Sequence, residues 1–219
     1  MTLTRETVEE MYTKRVDQYT SFINAFRSPK GLEMLLPRTN LLREGLCVLD
    51  AGCGYGMASL ALIRALKVRN LDYERIDGFD LTAAMLERFQ HTIETRVIPR
   101  VQLRQADVLA LETLPEAWKN YDLVIAASML EYLPRKDLVR ALAGLRGRML
   151  PDARLLVLIT RKTPETKVLI DWWWRAERYT LCELQQAFDR AGLHSLKLHP
   201  FPLRYWWLNR ATFAIEAAS

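Results

Sequence analysis

The run VLDAGCGYG at residues 48–56 constrains this chain more than any other stretch. An apolar segment from Cys47 to Leu49 ends in the acid Asp50 and passes straight into Gly52, Gly54 and Gly56 before an amphipathic pattern resumes. Glycines so placed let the backbone turn tightly and come close to a ligand. The helix that follows opens with N–H groups that have no partner within the helix. The stretch therefore predicts a strand, a ligand-binding turn and a helix.

The same alternation recurs along the chain. Apolar runs at 46–50, 75–80, 100–105, 121–126 and 153–160 predict strands. Residues 60–66, 83–93 and 138–149 carry apolar side chains at three- and four-residue spacing, as helices lying on a sheet do. Strand and helix in turn is the order of βαβ units, which predicts an α/β domain with a parallel sheet. Thr82 stands where it can cap the second of these helices. Ahead of the sheet, Thr7 and Glu10 form a capping box for an amphipathic helix reaching Phe26, followed by a turn at Ser28 and Pro29. After the fifth strand Pro164 opens a short helix, and Thr180 with Glu183 caps another that Gly192 stops. Segments 195–199 and 212–217 read as strands with no helix between them, hence an antiparallel pair. A single domain is expected over 1–219, with a helical cap at 1–45, a core at 46–160, a lid insert at 161–180, and the last helix and C-terminal strands at 181–219.

Composition narrows the class. The 219 residues are half hydrophobic and 26% charged, which excludes collagenous, low-complexity and mostly disordered chains. A formal charge of +5 is too small to name nucleic acid as a partner. Most of that excess lies in 161–210, where nine Lys and Arg meet five Asp and Glu. Cys47, Cys53 and Cys182 form no C-x-x-C pair, so neither a disulfide framework nor a cysteine zinc site is expected. With an N-terminus unlike a secretory signal, they lead us to expect a cytoplasmic protein.

Two further acids stand at strand ends. Asp80 closes the second strand and Asp107 follows the third, so that with Asp50 they mark the carboxyl edge of the sheet, where open α/β sheets bind ligands. Met57 stands where a dinucleotide fingerprint needs its last glycine, and no G-K-[ST] follows to make a phosphate loop. An acid two residues before the first glycine suits a positive ligand end such as an α-ammonium group. An acid after the second strand can accept from two ribose hydroxyls, and one after the third from an adenine amino group.

Over residues 44–160 the chain resembles the class I S-adenosylmethionine-dependent methyltransferases of the small, single-domain, small-molecule type. VLDAGCGYG is similar to their glycine motif, GFDLTAAML to the ribose-acid motif and RQADVLAL to the adenine-side motif. YDLVIAASMLEYLP at 121–134 is similar to the fourth motif, with Tyr132 where a His is usual. The resemblance implies a Rossmann-like seven-stranded sheet, mostly parallel with an antiparallel last strand, and S-adenosylmethionine as cofactor. It implies that Asp50, Gly52, Gly54 and Gly56 hold the methionine end, Asp80 and Leu81 the ribose, and Asp107 and Val108 the adenine. Ala127, Ser128 and Met129 would border the sulfonium and the acceptor, with Tyr132 beside them. Tyr12 and Tyr19 of the N-terminal helix would close over the cofactor. Without the His, alignment of the reactants carries the in-line displacement: it can be worth about 7–11 kcal/mol, against about 3–5 kcal/mol from a general base. No metal is expected.

The last quarter of the chain carries the clue to the acceptor. Trp172, Trp173 and Trp174 are consecutive, and successive helical side chains step about 100°, so at least one should leave the core; Trp173 is assigned to the pocket. Tyr205, Trp206 and Trp207 follow Pro200 and Pro202, with Arg175, Arg178 and Arg204 in the same quarter. His199, at a strand end, is the histidine expected near a substrate, and His91 and His194 are expected at the surface. These residues suit a small acceptor, aromatic or apolar, that carries an anionic group. Whether oxygen, nitrogen or sulfur is methylated stays open. Two rival readings are an RNA or protein methyltransferase, for which no recognition domain or Pro-Pro-Tyr signature is present, and a non-catalytic nucleoside-binding protein that touches membrane surfaces weakly.

Overall fold

The computed structural model describes residues 28–164, 166 and 176–219. Tyr12, Tyr19, the capping box at Thr7 and the three consecutive tryptophans lie outside the described residues. Seven strands form one sheet: β1 (Leu46–Ala51), β2 (Tyr73–Asp80), β3 (Val101–Gln105), β4 (Tyr121–Ala127), β5 (Met149–Thr160), β6 (His194–Leu198) and β7 (Thr212–Ala218). Their order is β3-β2-β1-β4-β5-β7-β6. Neighbours from β3 to β5 pair in parallel, and β7 runs antiparallel to both β5 and β6.

Six α-helices are described: α1 (Ser28–Leu35), α2 (Met57–Val68), α3 (Ala83–Thr95), α4 (Leu138–Arg146), α5 (Leu181–Arg190) and the single turn α6 (Leu208–Ala211). The central strands are buried on both faces, and their period of two sorts the core into two layers. Val48, Leu123, Ile125, Leu156 and Leu158 pack with Leu32 and Leu35 of α1 and Leu62 and Leu66 of α2. Their neighbours Leu49, Val124, Ala126, Leu155 and Val157 pack on the other side with Leu142 and Leu145 of α4 and Leu184 and Phe188 of α5.

Four local expectations need correction. Ser28 and Pro29 open α1 instead of making a turn, since proline fits the first turn of a helix, where its missing N–H has no partner to lose. The join between β6 and β7 is not free of helix: it holds a 3₁₀ turn (Leu203–Tyr205) and α6, yet the strands still pair antiparallel. Thr82 occupies the N-cap position of α3 without a side-chain cap bond, because its hydroxyl goes to Asp80 instead. Finally β5 begins at Met149 rather than 153. It bulges out between Met149 and Arg154 where β4 spans only Tyr121 to Leu123, which is how the strand tolerates Pro151 and the left-handed Asp152. The capping box of α5 forms as read, with Thr180 Oγ1 accepting from the Glu183 N–H and the Glu183 carboxylate accepting from the Thr180 N–H.

Candidate functional site

The strand order reverses between β1 and β4, and at such a switch point the loops leaving the two strands part and open a crevice. Here the loop after β1 carries the glycines and the loop after β4 carries Ser128 and Met129. They meet at Gly52, where an added Cβ would lie 2.3 Å from Met129 Cγ. Ser128 holds φ +54°, a left-handed conformation uncommon for a side-chain-bearing residue, and its N–H donates to Leu158 O at 2.9 Å. Backbone held in this way tends to collect at functional loops.

The glycines differ in what surrounds them. Gly56 (φ +88°) packs so closely that a Cβ would meet the buried Phe89 ring at 2.3 Å. Gly54 (φ +52°) faces open space, with nothing within 4 Å of where its Cβ would be. Its N–H donates to Asp80 Oδ2 at 2.9 Å, while the Cys53 N–H donates to Phe79 O at 2.9 Å. The glycine loop is thus tied to the end of β2, leaving one face of Gly54 free for a ligand to approach.

The three acids occupy different depths. Asp50 lies inside β1, 1% exposed: Oδ2 accepts from the Ser59 N–H (3.1 Å) and hydroxyl (2.6 Å) of α2, and Oδ1 is buried with no partner among the described residues. Burial pushes its carboxyl up to about 6, against the opposing Ser59 bonds. An orphaned, buried carboxylate oxygen beneath a glycine loop is suited to a cation arriving from above. Asp80 is half-buried and also raised by burial; its two oxygens accept from the N–H groups of Gly54 and Thr82, each at 2.9 Å. The Thr82 hydroxyl also donates to this carboxylate, whose two oxygens still have lone-pair room for a hydroxyl donor. Asp107 makes a turn of its own, Oδ1 accepting from the Leu109 N–H, and Ala106 N–H donates to Asp80 O, so β2 and β3 deliver the two acids side by side.

The remaining expected residues scatter. Leu81 lies beside Asp80, its carbonyl accepting from Gln105 Nε2 at 2.9 Å. Val108 and Ala127 are buried in the two core layers, and Tyr132 is half-buried on a 3₁₀ turn (Leu130–Tyr132). Tyr205 is 5% exposed, packed with Phe201 and Leu208 and edge-on to Trp207, while Arg204 beside it is exposed. His199 is buried away from the glycine loop, at the end of β6, with Nε2 2.6 Å from Glu216 Oε2. Sequence reasoning missed Ser59, Gln105 and Glu131. Ser59 had a signal, standing in the first turn of a helix that faces Asp50. Glu131 had none: its 3₁₀ turn buries it to 3% exposure, with Oε1 accepting from Thr160 Oγ1 and Oε2 unpartnered among the described residues.

Residues 48–152 match the family described as methyltransferase domain. That match covers a little under half of the 219 residues, and over it the chain is similar to methyltransferases. Among similar proteins, a carboxy-S-adenosyl-L-methionine synthase of Actinobacillus pleuropneumoniae serotype 5b is 27% identical over 192 residues, 87% of this chain and 69% of that protein. A ubiquinone biosynthesis O-methyltransferase of Haemophilus ducreyi is 28% identical over 124 residues, which are 56% of this chain and 49% of the relative. The fold is shared with magnesium protoporphyrin IX methyltransferase from Synechocystis PCC 6803 with bound S-adenosylhomocysteine, at a TM-score of 0.72, 18% identity and coverage of 98% and 99% of the two chains. A second structure of that Synechocystis protein holds S-adenosylmethionine, at a TM-score of 0.70 and 17% identity. Among the described residues no group of His, Cys, Asp and Glu could hold a metal ion, and no helix is long and apolar enough to cross a membrane.

Asp80 supplies a first test of the site as a nucleoside-binding one. Asp80→Ala removes a charged acceptor and also frees two backbone donors. It should weaken S-adenosylhomocysteine by about 1.5–3 kcal/mol, one to two decades, with a smaller loss of thermal stability. Calorimetry returning wild-type affinity would place the hydroxyl acceptor elsewhere.

Proposed function

We propose that the chain is a class I methyltransferase that transfers the methyl group of S-adenosylmethionine to a small acceptor, aromatic or apolar, that carries an anionic group. The observation that carries the cofactor's placement is Gly54, whose open face lies beside Asp80 and in the same loop system as the orphaned Asp50 oxygen. When bound, the cofactor supplies an electrophilic methyl on a sulfonium. Asp50, once deprotonated, pairs with its ammonium group, Asp80 accepts from the ribose hydroxyls, and Asp107 receives the adenine amino group. Met129, seated on Gly52, and the constrained Ser128 backbone wall the reacting end and hold its orientation. No base is needed in this scheme: the protein's work is alignment.

The small-molecule class is supported by the names of two similar proteins, a ubiquinone biosynthesis O-methyltransferase and a magnesium protoporphyrin IX methyltransferase. A second reading, in which S-adenosylmethionine is itself the compound modified, is favoured by the name of the A. pleuropneumoniae relative. Incubating the protein with isotope-labelled cofactor and a metabolite extract separates the two by mass: labelled methyl on a new compound supports transfer, and an added group on the recovered cofactor supports the second.

Ligand binding also reports on Asp50. At about 100 times its dissociation constant, S-adenosylhomocysteine should stabilise the fold by about 2.7 kcal/mol. Because the Asp50 carboxyl is raised to about 6 and a cation needs it charged, affinity should fall as pH drops from 7.5 to 5. Equal affinity at both pH values would remove Asp50 from contact with the ammonium.

A further inference from the structure

On the far side of β5 from the glycine loop, the carboxyl ends of β5 and β6 and the start of β7 enclose a cavity of about 590 Å³. That volume lies within the range of small-ligand pockets. Arg161, Lys162 and His199 line it, together with Phe213 and two leucines, and none of its lining residues is acidic. The leucines, Leu181 and Leu198, are 38% and 45% exposed, so apolar surface and positive charge share one hollow.

The cations are set there by the fold. The Arg161 guanidinium stacks 4.4 Å from the centre of the Phe213 ring and donates to Asn209 O, and its backbone N–H donates to Ala211 O at 2.8 Å. Lys162 is fixed at the backbone by its N–H on Tyr179 O, at 2.8 Å, with its side chain exposed. His199 is buried, with Nε2 held by Glu216, which in turn lies 3.4 Å from Arg154 Nε. The held Arg161 and the exposed Lys162, beside an aromatic ring and two leucines, match a flat apolar molecule ending in a carboxylate.

We propose that this cavity takes the carboxylate-bearing end of the acceptor, with Lys162 and Arg161 as the anion's partners. The proposal rests on the methyltransferase reading and names a substrate class for it. In the sheet β5 lies directly beside β4, whose loop carries Met129, and β7 comes next, so the middle of the cavity, over β7, lies about 10 Å from that loop at roughly 4.8 Å per strand. A carboxylate on three linearly fused rings spans that distance.

The test uses the full chain saturated with S-adenosylhomocysteine, titrated calorimetrically with 1-naphthoate and with neutral 1-naphthalenemethanol as probes. The naphthoate should bind at least tenfold more tightly than the alcohol. Lys162→Ala should weaken naphthoate about three- to tenfold and Lys162→Glu more than tenfold, with the alcohol and S-adenosylhomocysteine unchanged. Lys162 is exposed, so neither variant should lose the fold, which a melting curve verifies. Equal affinity for acid and alcohol, or naphthoate binding within twofold of wild type in both variants, would overturn the proposal. A wild type that fails to bind S-adenosylhomocysteine would instead strike at the functional reading, and naphthoate titrated alone would still report on the cavity.

Discussion

The Gly56→Ala variant should melt about 5–15 °C below wild type. Its Cβ would enter the buried Phe89 ring at 2.3 Å, from a residue already at φ +88°. Left-handed strain costs about 1–2 kcal/mol and overpacking a core about 1–3 kcal/mol, and each kcal/mol moves the melting point of a chain this size by about 2–4 °C. Gly54→Ala bears the strain alone, because its Cβ meets nothing. That variant should stay folded yet lose more than tenfold in S-adenosylhomocysteine affinity, since the methyl group would occupy the ligand's approach. Differential scanning calorimetry and binding on both variants check the pair. A Gly56→Ala protein within 2 °C of wild type, or a Gly54→Ala protein that binds normally, contradicts these separate roles.

The second large effect is a pH dependence that runs against ordinary acid denaturation. Burial pushes the Glu131 carboxyl up to about 7 from an ordinary 4.5, despite the Thr160 hydroxyl that favours its charged form. Between those two values the folded chain keeps a proton that the unfolded chain releases. The group's contribution is therefore full below about pH 4.5 and is lost as pH rises to 7. At about 1.4 kcal/mol per pH unit this amounts to roughly 3 kcal/mol. Glu131→Gln cannot titrate, so it should match wild type near pH 5 and exceed it by about 2–3 kcal/mol at pH 8, measured by urea unfolding. Equal destabilisation of the variant at both pH values would mean that the carboxylate is charged and paired.

Legibility in the sequence followed the range of the forces involved. Strands β1 to β4 could be read to within two residues at each end, because their apolar runs are bounded by turn residues such as Gly52 and Asn120 that act locally. The start of β5 was lost because Pro151 looks like a breaker until a bulge against β4 accommodates it. The register that sets Asp80 beside Ala106 is likewise tertiary, yet it was anticipated because parallel strands end on a common edge. What could not be read was depth. Nothing in spacing says that Asp50 is sealed behind Ser59 while Asp80 is half open, or that Tyr205 joins the core while Arg204 next to it stays exposed. Glu131 was hidden for the same reason, since the groups that meet it come from distant positions: the Thr160 hydroxyl donates to its carboxylate and the Glu177 N–H, 46 positions on, to its carbonyl.

The place of β7 between β5 and β6 bears on how the molecule is assembled during translation. A strand made later in the chain is the one that joins β6 to the rest of the sheet, so residues 194–198 leave the ribosome with no sheet partner and wait for 212–218. Such a wait exposes an unpaired edge, which in a more apolar strand would invite pairing with another nascent chain. In β6 four of five residues are exposed, and they include His194, Ser195 and Lys197. The edge strand that must wait for a neighbour made after it is thus one with little apolar surface to seed aggregation while it waits.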